Sequence, residues 1–157
     1  MGDNYKSQDM IHKNTFEKVD FNGAKGVVLL INKMLVYRRD NKTSNLPGYI
    51  DLPGGGREGE ESPFETFKRE VKEEFGISIE KDEIEFSCTI PSVMEPEKKS
   101  FFIIARTLRF QPEDVIFGNE GTEWMLMTPE EFIHRSDGIE RQQKRVEKYM
   151  AGSLTSE

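Results

Sequence analysis

The chain has 157 residues and a formal net charge of -7, from 22 Lys and Arg against 29 Asp and Glu; the length fits one domain with roughly two thirds of its unfolded surface buried, and the charge makes long nucleic acid a poor partner. Hydrophobic residues at 35% and charged residues at 32% exclude a disordered chain, and apolar runs no longer than Val27 to Ile31 exclude a bilayer-spanning helix. The opening residues carry no apolar leader, Lys6 stands where a myristoylation signal needs Ser or Thr, and Cys88 is the single cysteine, so the expectation is a cytoplasmic chain with no membrane partner, disulfide or cysteine-based zinc site.

Residues 1–22 are polar and aperiodic and read as a flexible or edge-lying segment, ahead of a domain expected over 23–151 and a tail over 152–157. Two β-type runs follow, Gly26 to Ile31 and Met34 to Arg38, with Asn32 and Lys33 as the turn of a hairpin. Residues 40–48 have loop chemistry, and the short stretch Tyr49 to Leu52 leads into Pro53 and the glycines Gly54, Gly55 and Gly56. Ile84, Phe86, Cys88 and Ile90 alternate with polar residues, which predicts a strand with one buried face and a thiol used as buried filler. Phe101 to Ala105 is apolar throughout and reads as a central strand covered on both faces. Trp124 to Met127 is a further strand, with Trp124 read as core, and Thr128 with Glu131 opens a short helix by a capping box. The last helix carries Ile139, Val146 and Met150 at helical spacing, and its Arg141, Lys144, Arg145 and Lys148 are read as a solvated face. His12 and His134 are read as surface residues. Interleaved strands and helices predict an α/β or α+β sandwich.

Residues 55–77, GGREGEESPFETFKREVKEEFGI, are the informative segment. Ser62 is a good N-cap, Pro63 suits the first helical position, Glu65 completes a capping box, and Gly76 supplies a left-handed C-terminal cap with Ile77 folding back onto Val71. The helix is therefore predicted over 63–75. Phe64, Phe67, Val71 and Phe75 share one stripe, while Glu70, Glu73 and Glu74 form a second beside it. Such like-charge pairs cost a few tenths of a kcal/mol each unless something positive lies between them. Arg69 can pair with Glu65 or Glu73 but cannot neutralise all of them, and convergent carboxylates at this spacing suit a hard divalent cation. The glycine run brings backbone close to whatever binds, with φ > 0 frequent in such turns, and the absence of Gly-Lys-Ser/Thr excludes a P-loop.

Gly55, Glu61, Arg69, Glu70, Val71, Glu73, Glu74, Gly76 and Ile77 fill every fixed position of a spacing that resembles the signature of the Nudix hydrolases; a chance match is on the order of 10⁻⁷ per chain, tens of times more in a Glu-rich one. The resemblance extends to Tyr37-Arg38-Arg39, to Asp51-Leu52-Pro53-Gly54-Gly55 and to Glu120-Gly121 ahead of Trp124. It implies a single-domain α/β/α sandwich with a mixed sheet, and hydrolysis of a nucleoside diphosphate linked to a further group, with Mg²⁺ or Mn²⁺ as cofactor. Carried over by position, Glu70, Glu73, Glu74 and the Gly54 carbonyl resemble the metal ligands, Arg69 a residue that orients a helix glutamate, and Glu61 a support of the loop. Gly55, Gly56, Arg38 and Arg39 are the expected substrate contacts. The general base is open between Glu70 on the helix and a distant loop glutamate; Glu120 is preferred because a loop can bring it in, whereas Glu123 is fixed by the strand and faces opposite Trp124. The expected substrate is a free or modified nucleoside triphosphate; a nucleotide sugar or dinucleotide is the alternative, with the loop Pro91 to Lys99 expected to help decide, and a non-catalytic nucleotide-binding module is a third reading. Oligomeric state is not legible in the residues.

Overall fold

The computed structural model describes residues 20–43 and 45–157, so His12 and most of the N-terminal segment lie outside the described residues. β1 (Phe21–Leu30) alternates its side chains across the sheet: Ala24, Val28 and Leu30 enter one core, Val27 and Leu29 the other. β2 (Lys33–Arg39) follows after a tight turn in which Leu30 pairs with Lys33. The turn is thus Ile31-Asn32, one residue earlier than expected, and Ile31 takes φ 63. Tertiary contacts hold that unfavourable backbone: Ile31 N donates to the Thr107 carbonyl at 3.3 Å, and Arg106 Nη1 donates to the Ile31 carbonyl. Phe21 and Asn22, expected in the lead-in, belong to β1.

The sheet runs β3-β2-β1-β6-β5, from β3 (Ile50–Asp51) to β5 (Ile84–Pro91), with β4 (Gly54–Gly56) pairing β1 and β7 (Gly121–Met127) pairing β2. β6 (Lys99–Thr107) lies parallel to β1 and antiparallel to β5, and Phe101 to Ala105 are buried on both faces as predicted. The sheet is therefore mixed.

Helix α1 (Pro63–Phe75) has the predicted limits: Ser62 Oγ accepts from Glu65 N, Glu65 Oε1 accepts from Ser62 N, and Gly76 is left-handed at φ 71. Its Phe64, Phe67, Val71 and Phe75 pack with Ile77 on the face made by Ala24, Val28, Leu35, Phe101 and Ile103. On the opposite face, α2 (Pro129–Ile133) supplies Phe132 and α3 (Glu140–Met150) supplies Val146 against Val27, Met34, Ile50, Cys88 and Ile104. This is an α/β/α sandwich in one domain.

Several expectations change in the packing. At α2, Thr128 Oγ1 accepts from Glu131 N and donates to the Glu131 carboxylate, so the reciprocal half of the capping box is replaced by a side-chain bond. β5 buries Ser87 and Thr89 as well as its apolar residues, and the segment read as a tail runs beside it at Thr89: Glu157 N donates to the Thr89 carbonyl and Thr89 N to Ser156 Oγ. Cys88 is buried, which pushes its thiol up to about 12. In α3, Met150 is exposed and Gln142 is buried, so its inner face is narrower than the apolar spacing predicts. Trp124 is partly buried against the α1-side core. His134 is exposed in its contacts, its Nδ1 lying 2.8 Å from the Glu130 carbonyl.

Candidate active site

Packing of the phenylalanine stripe fixes the rotation of α1 and turns the neighbouring stripe of glutamates toward β4. Glu70 and Glu74 are buried there, whereas Glu73 stays exposed. Arg69 ties the glutamates together. Its Nη1 donates to Glu70 Oε1 at 3.0 Å and lies 3.3 Å from Glu73 Oε2, its Nη2 donates to the Gly56 carbonyl at 2.7 Å, and its Nε to Glu61 Oε2 at 2.7 Å. Glu65, an expected partner, is spent on the cap instead. Glu61 also accepts from Glu58 N and Thr66 Oγ1, so it supports the loop and the arginine; the hydrogen bond from Arg69 is the main reason its carboxyl titrates below the usual range.

Glu120 joins this group. One carboxylate oxygen from each of Glu70, Glu73 and Glu120 lies within 4.8 Å of the others. Its loop does not hang free, contrary to the swinging carrier expected. Ile116 N and Gly118 N donate to the carbonyls of Phe75 and Glu74 at 2.9 Å each, and the Phe117 ring packs on Tyr37 and Phe75. Glu123 is held elsewhere, its Oε2 accepting from Arg38 Nε at 3.0 Å, which agrees with the alternation argument.

Burial pushes the Glu70 carboxyl up, against the pull of Arg69. Glu74 is raised further, again chiefly by burial. Its Oε1 accepts from Gly54 N at 2.9 Å, but its Oε2 is buried with no hydrogen-bond partner. A hard cation with oxygen ligands fits this donor set: Glu70, Glu73 and Glu120 converge, the buried Glu74 Oε2 lacks a donor, and no arginine or lysine among the described residues pairs with Glu74.

The glycines act differently from expected. The left-handed residue is Gly54, at φ 133, and not Gly55. Gly55 is required by proximity: a Cβ there would stand 2.5 Å from Cδ and Oε1 of Glu70. The Gly56 carbonyl serves Arg69. Arg38 departs from its expected substrate contact, because its guanidinium is used by Glu123, the Gly48 carbonyl and Asp137. Arg39 is bound to Asp51, Thr43 and the Asn45 carbonyl, yet it lines a cleft with Lys25, Gly54, Gly55 and Glu120.

Lys25 is a residue that the pattern reading missed. It stands in β1 with its Nζ on the fully buried Asp51 at 3.0 Å and lines both this cleft and a cavity of about 220 Å³ on the other side of Gly55. A lysine directly preceding the apolar run Gly26 to Leu30 of its strand is the signal that could have found it. Arg141 and Arg145 of α3 line the second cavity and are only half exposed, so this part of the helix is not the solvated face expected.

Comparison with known proteins identifies the domain and its fold. The model of the NUDIX domain matches residues 21–149. The fold is similar to the MutT protein of Methanosarcina mazei Go1 (TM-score 0.66, 21% identity, 88% of this chain and 99% of that one). It is also similar to an Ap4A hydrolase of C. elegans (TM-score 0.61, 20%, 83% and 96%). A bifunctional NMN adenylyltransferase/ADP ribose pyrophosphatase of Francisella tularensis, complexed with AMP and Mn ion, aligns over 98% of this chain and 48% of its own length (TM-score 0.64, 14%). No curated protein matches the sequence, and no helix among the described residues is long and apolar enough to cross a membrane. With the domain matched over most of the chain, and an acidic cluster that joins Glu70 and Glu73 of the helix to Glu120 of a loop and leaves Glu74 outside it, the chain belongs to the Nudix family, divalent-metal-dependent hydrolases of phosphoanhydride bonds.

Proposed function

We propose that this chain is a Mg²⁺-dependent pyrophosphohydrolase of a small nucleotide-type substrate, with a free or modified nucleoside triphosphate as the first reading. The observation that carries it is the meeting of Glu70, Glu73 and Glu120 within 4.8 Å. Glu70, Glu73, Glu74 and the Gly54 carbonyl would hold Mg²⁺, or Mn²⁺ in its place, which when bound neutralises phosphate charge and makes water a better nucleophile. Arg69 orients Glu70 and Glu73, and Glu61 orients Arg69, so the cluster is preorganised. Glu120, exposed and fixed by its loop, accepts the proton of the attacking water. Gly55 lets the chain's own backbone line the cleft without a Cβ that would displace Glu70, and Arg39 at the rim of the cleft faces the substrate's charge.

A specific observation favours the second reading, a nucleotide sugar or dinucleotide. The cleft and the further cavity meet at Lys25 and Gly55, so a substrate with groups on both sides of the phosphoanhydride has room for both. A hydrolysis screen over nucleoside triphosphates, nucleotide sugars and dinucleotides, with Mg²⁺ and with Glu120→Gln as control, tests both readings. Cleavage is expected in one class, giving pyrophosphate or phosphate from a triphosphate but two phosphate monoesters or nucleotides from a sugar or dinucleotide, separated by chromatography, and it should be lost in the variant; no cleavage in any class would refute the proposal.

A further inference from the structure

The cavity beyond Gly55 is lined by Asn22, Ser92, Met94, Ser100, Arg141 and Arg145, among others. At about 220 Å³ it is smaller than the ~300–1,000 Å³ of a whole-ligand pocket, the size of a subsite. Its charge is unusual. Arg141 and Arg145 lie one turn apart on α3, an arrangement that repels. Among the described residues neither forms an ion pair; Arg145 Nη1 donates to Gln142 Oε1 at 3.1 Å, and Arg141 Nε is buried without a hydrogen-bond partner among them. Glu157 and Asp51 act on Arg145 from a distance without pairing to it. The neutral polar groups of the cavity are used on one another: Asn22 Nδ2 donates to Ser92 Oγ at 2.6 Å, and Ser100 Oγ to Asn22 Oδ1 at 2.9 Å. What remains unsatisfied is therefore cationic and donor-rich.

We propose that Arg141 and Arg145 form an anion subsite that grips a phosphate group of the substrate lying away from the scissile phosphoanhydride. A neutral base or sugar would leave both half-buried charges unpaired, whereas a phosphate accepts from both guanidiniums and removes their repulsion. Exposed Val93 and Met94 at the lip offer apolar contact to the sugar or base that carries it. The subsite rests on the reading of the acidic cleft as the hydrolytic site, because the two cavities share Lys25 and Gly55.

The test is made in EDTA, where no metal-dependent hydrolysis occurs. Inorganic phosphate is titrated while the arginine Nε–H resonances are followed by NMR, and affinities for phosphate, NADH and NADPH are measured by calorimetry. Phosphate is expected to shift the Arg141 signal, and the R141Q/R145Q pair to weaken phosphate binding by about tenfold to a hundredfold. R141K/R145K keeps the charges and should recover part of the affinity, which a merely structural role would not do. Tighter binding of NADPH than NADH, lost in R141Q/R145Q, identifies a substrate-borne phosphate; phosphate binding without that preference identifies free phosphate at the same arginines, and overturns the substrate assignment. An unmoved Arg141 resonance, or phosphate binding unchanged in a folded R141Q/R145Q protein, overturns the subsite altogether. Failure of hydrolysis in the substrate screen would leave these readouts intact, so the two readings fail separately.

Discussion

Replacement of Gly55 by alanine isolates the geometry of the acidic cluster with a single methyl group. The new Cβ would stand 2.5 Å from Cδ and Oε1 of Glu70 and 2.8 Å from Oε2, where ordinary contact is about 3.5–4.0 Å. Something must retreat by about 1 Å. The α1 backbone is held by buried Phe67 and Val71, and β4 by its pairing with β1, so the Glu70 side chain is what gives way. Turning it off its rotamer costs about 0.5–1.5 kcal/mol, a modest loss of stability. The chemical penalty is larger, since misplacing a catalytic group by about 1 Å can cost 10²-fold, or about 2.7 kcal/mol of transition-state stabilisation. Gly56→Ala is the comparison, because its Cβ meets nothing closer than the Asn22 carbonyl at 3.9 Å. Steady-state kinetics with Mg²⁺ and thermal melts of both variants are the assay. Gly55→Ala should melt within a few degrees of the parent while kcat/KM falls about 10²-fold, and Gly56→Ala should be much milder. Near-normal kcat/KM in a folded Gly55→Ala protein would refute the placement of Glu70, and an activity loss that only tracks unfolding would refute the claim that the side chain yields.

Glu120→Gln should lower kcat by about 10²-fold or more with little change in KM, while Glu123→Gln, which loses only its contact with Arg38, should cost less than about tenfold; the reverse ranking in parallel kinetics would move the base to Glu123. Because burial raises the Glu74 carboxyl, its protonated form favours the fold at low pH, and that contribution is lost as pH rises through the raised value. In EDTA, Glu74→Gln should therefore melt above the parent at about pH 8, with the gap narrowing toward about pH 5; equal melting points throughout would count against a charged, unpartnered Glu74. Ile31→Asn should raise Tm by about 2–4 °C, since Ile31 is exposed at 54% and its φ of 63 suits asparagine better than a β-branched residue; a lower Tm would show that the side chain contributes more than the backbone costs.

Local chemistry was the legible part of this sequence. The limits of α1 followed from Ser62, Pro63, Glu65 and Gly76, because caps act over one turn and leave their mark in adjacent residues. The two-sided burial of Phe101 to Ala105 followed from an unbroken apolar run. The turn at Ile31 was not legible, since no local rule places isoleucine in the left-handed region; Thr107 and Arg106, far along the chain, hold it there. Arg38 and Arg39 look equivalent in sequence, and only the fold assigns one to Glu123 and Asp137 and the other to Asp51. For the same reason α3 read as a solvated basic helix. Its turn toward the end of β1 depends on Val146 reaching the core beneath Met34 and Ile104, a contact that periodicity alone does not locate.

Asp51 explains how opposite charges can be kept so close along one strand. It is fully buried, which alone would push its carboxyl up, yet Lys25 Nζ at 3.0 Å, Arg39 Nη1 at 2.9 Å and Leu52 N at 2.7 Å hold it below the ordinary range. Two cations on one carboxylate leave a single net positive charge in the wall between the acidic cleft and the arginine cavity. Without Asp51, Lys25 would be free to fold onto Glu74, whose charge it already feels, and to close the gap a metal needs. Tethered, it neutralises neither side completely. The order of charge along the groove is then acidic at Glu70, Glu73 and Glu120, weakly positive at Lys25 and Arg39, and strongly positive at Arg141 and Arg145. On the proposed reading, metal at the acidic end would supply the one partner that the chain itself lacks for a substrate with phosphates spaced along its length, so the ion adds to a grip that the arginines provide without it.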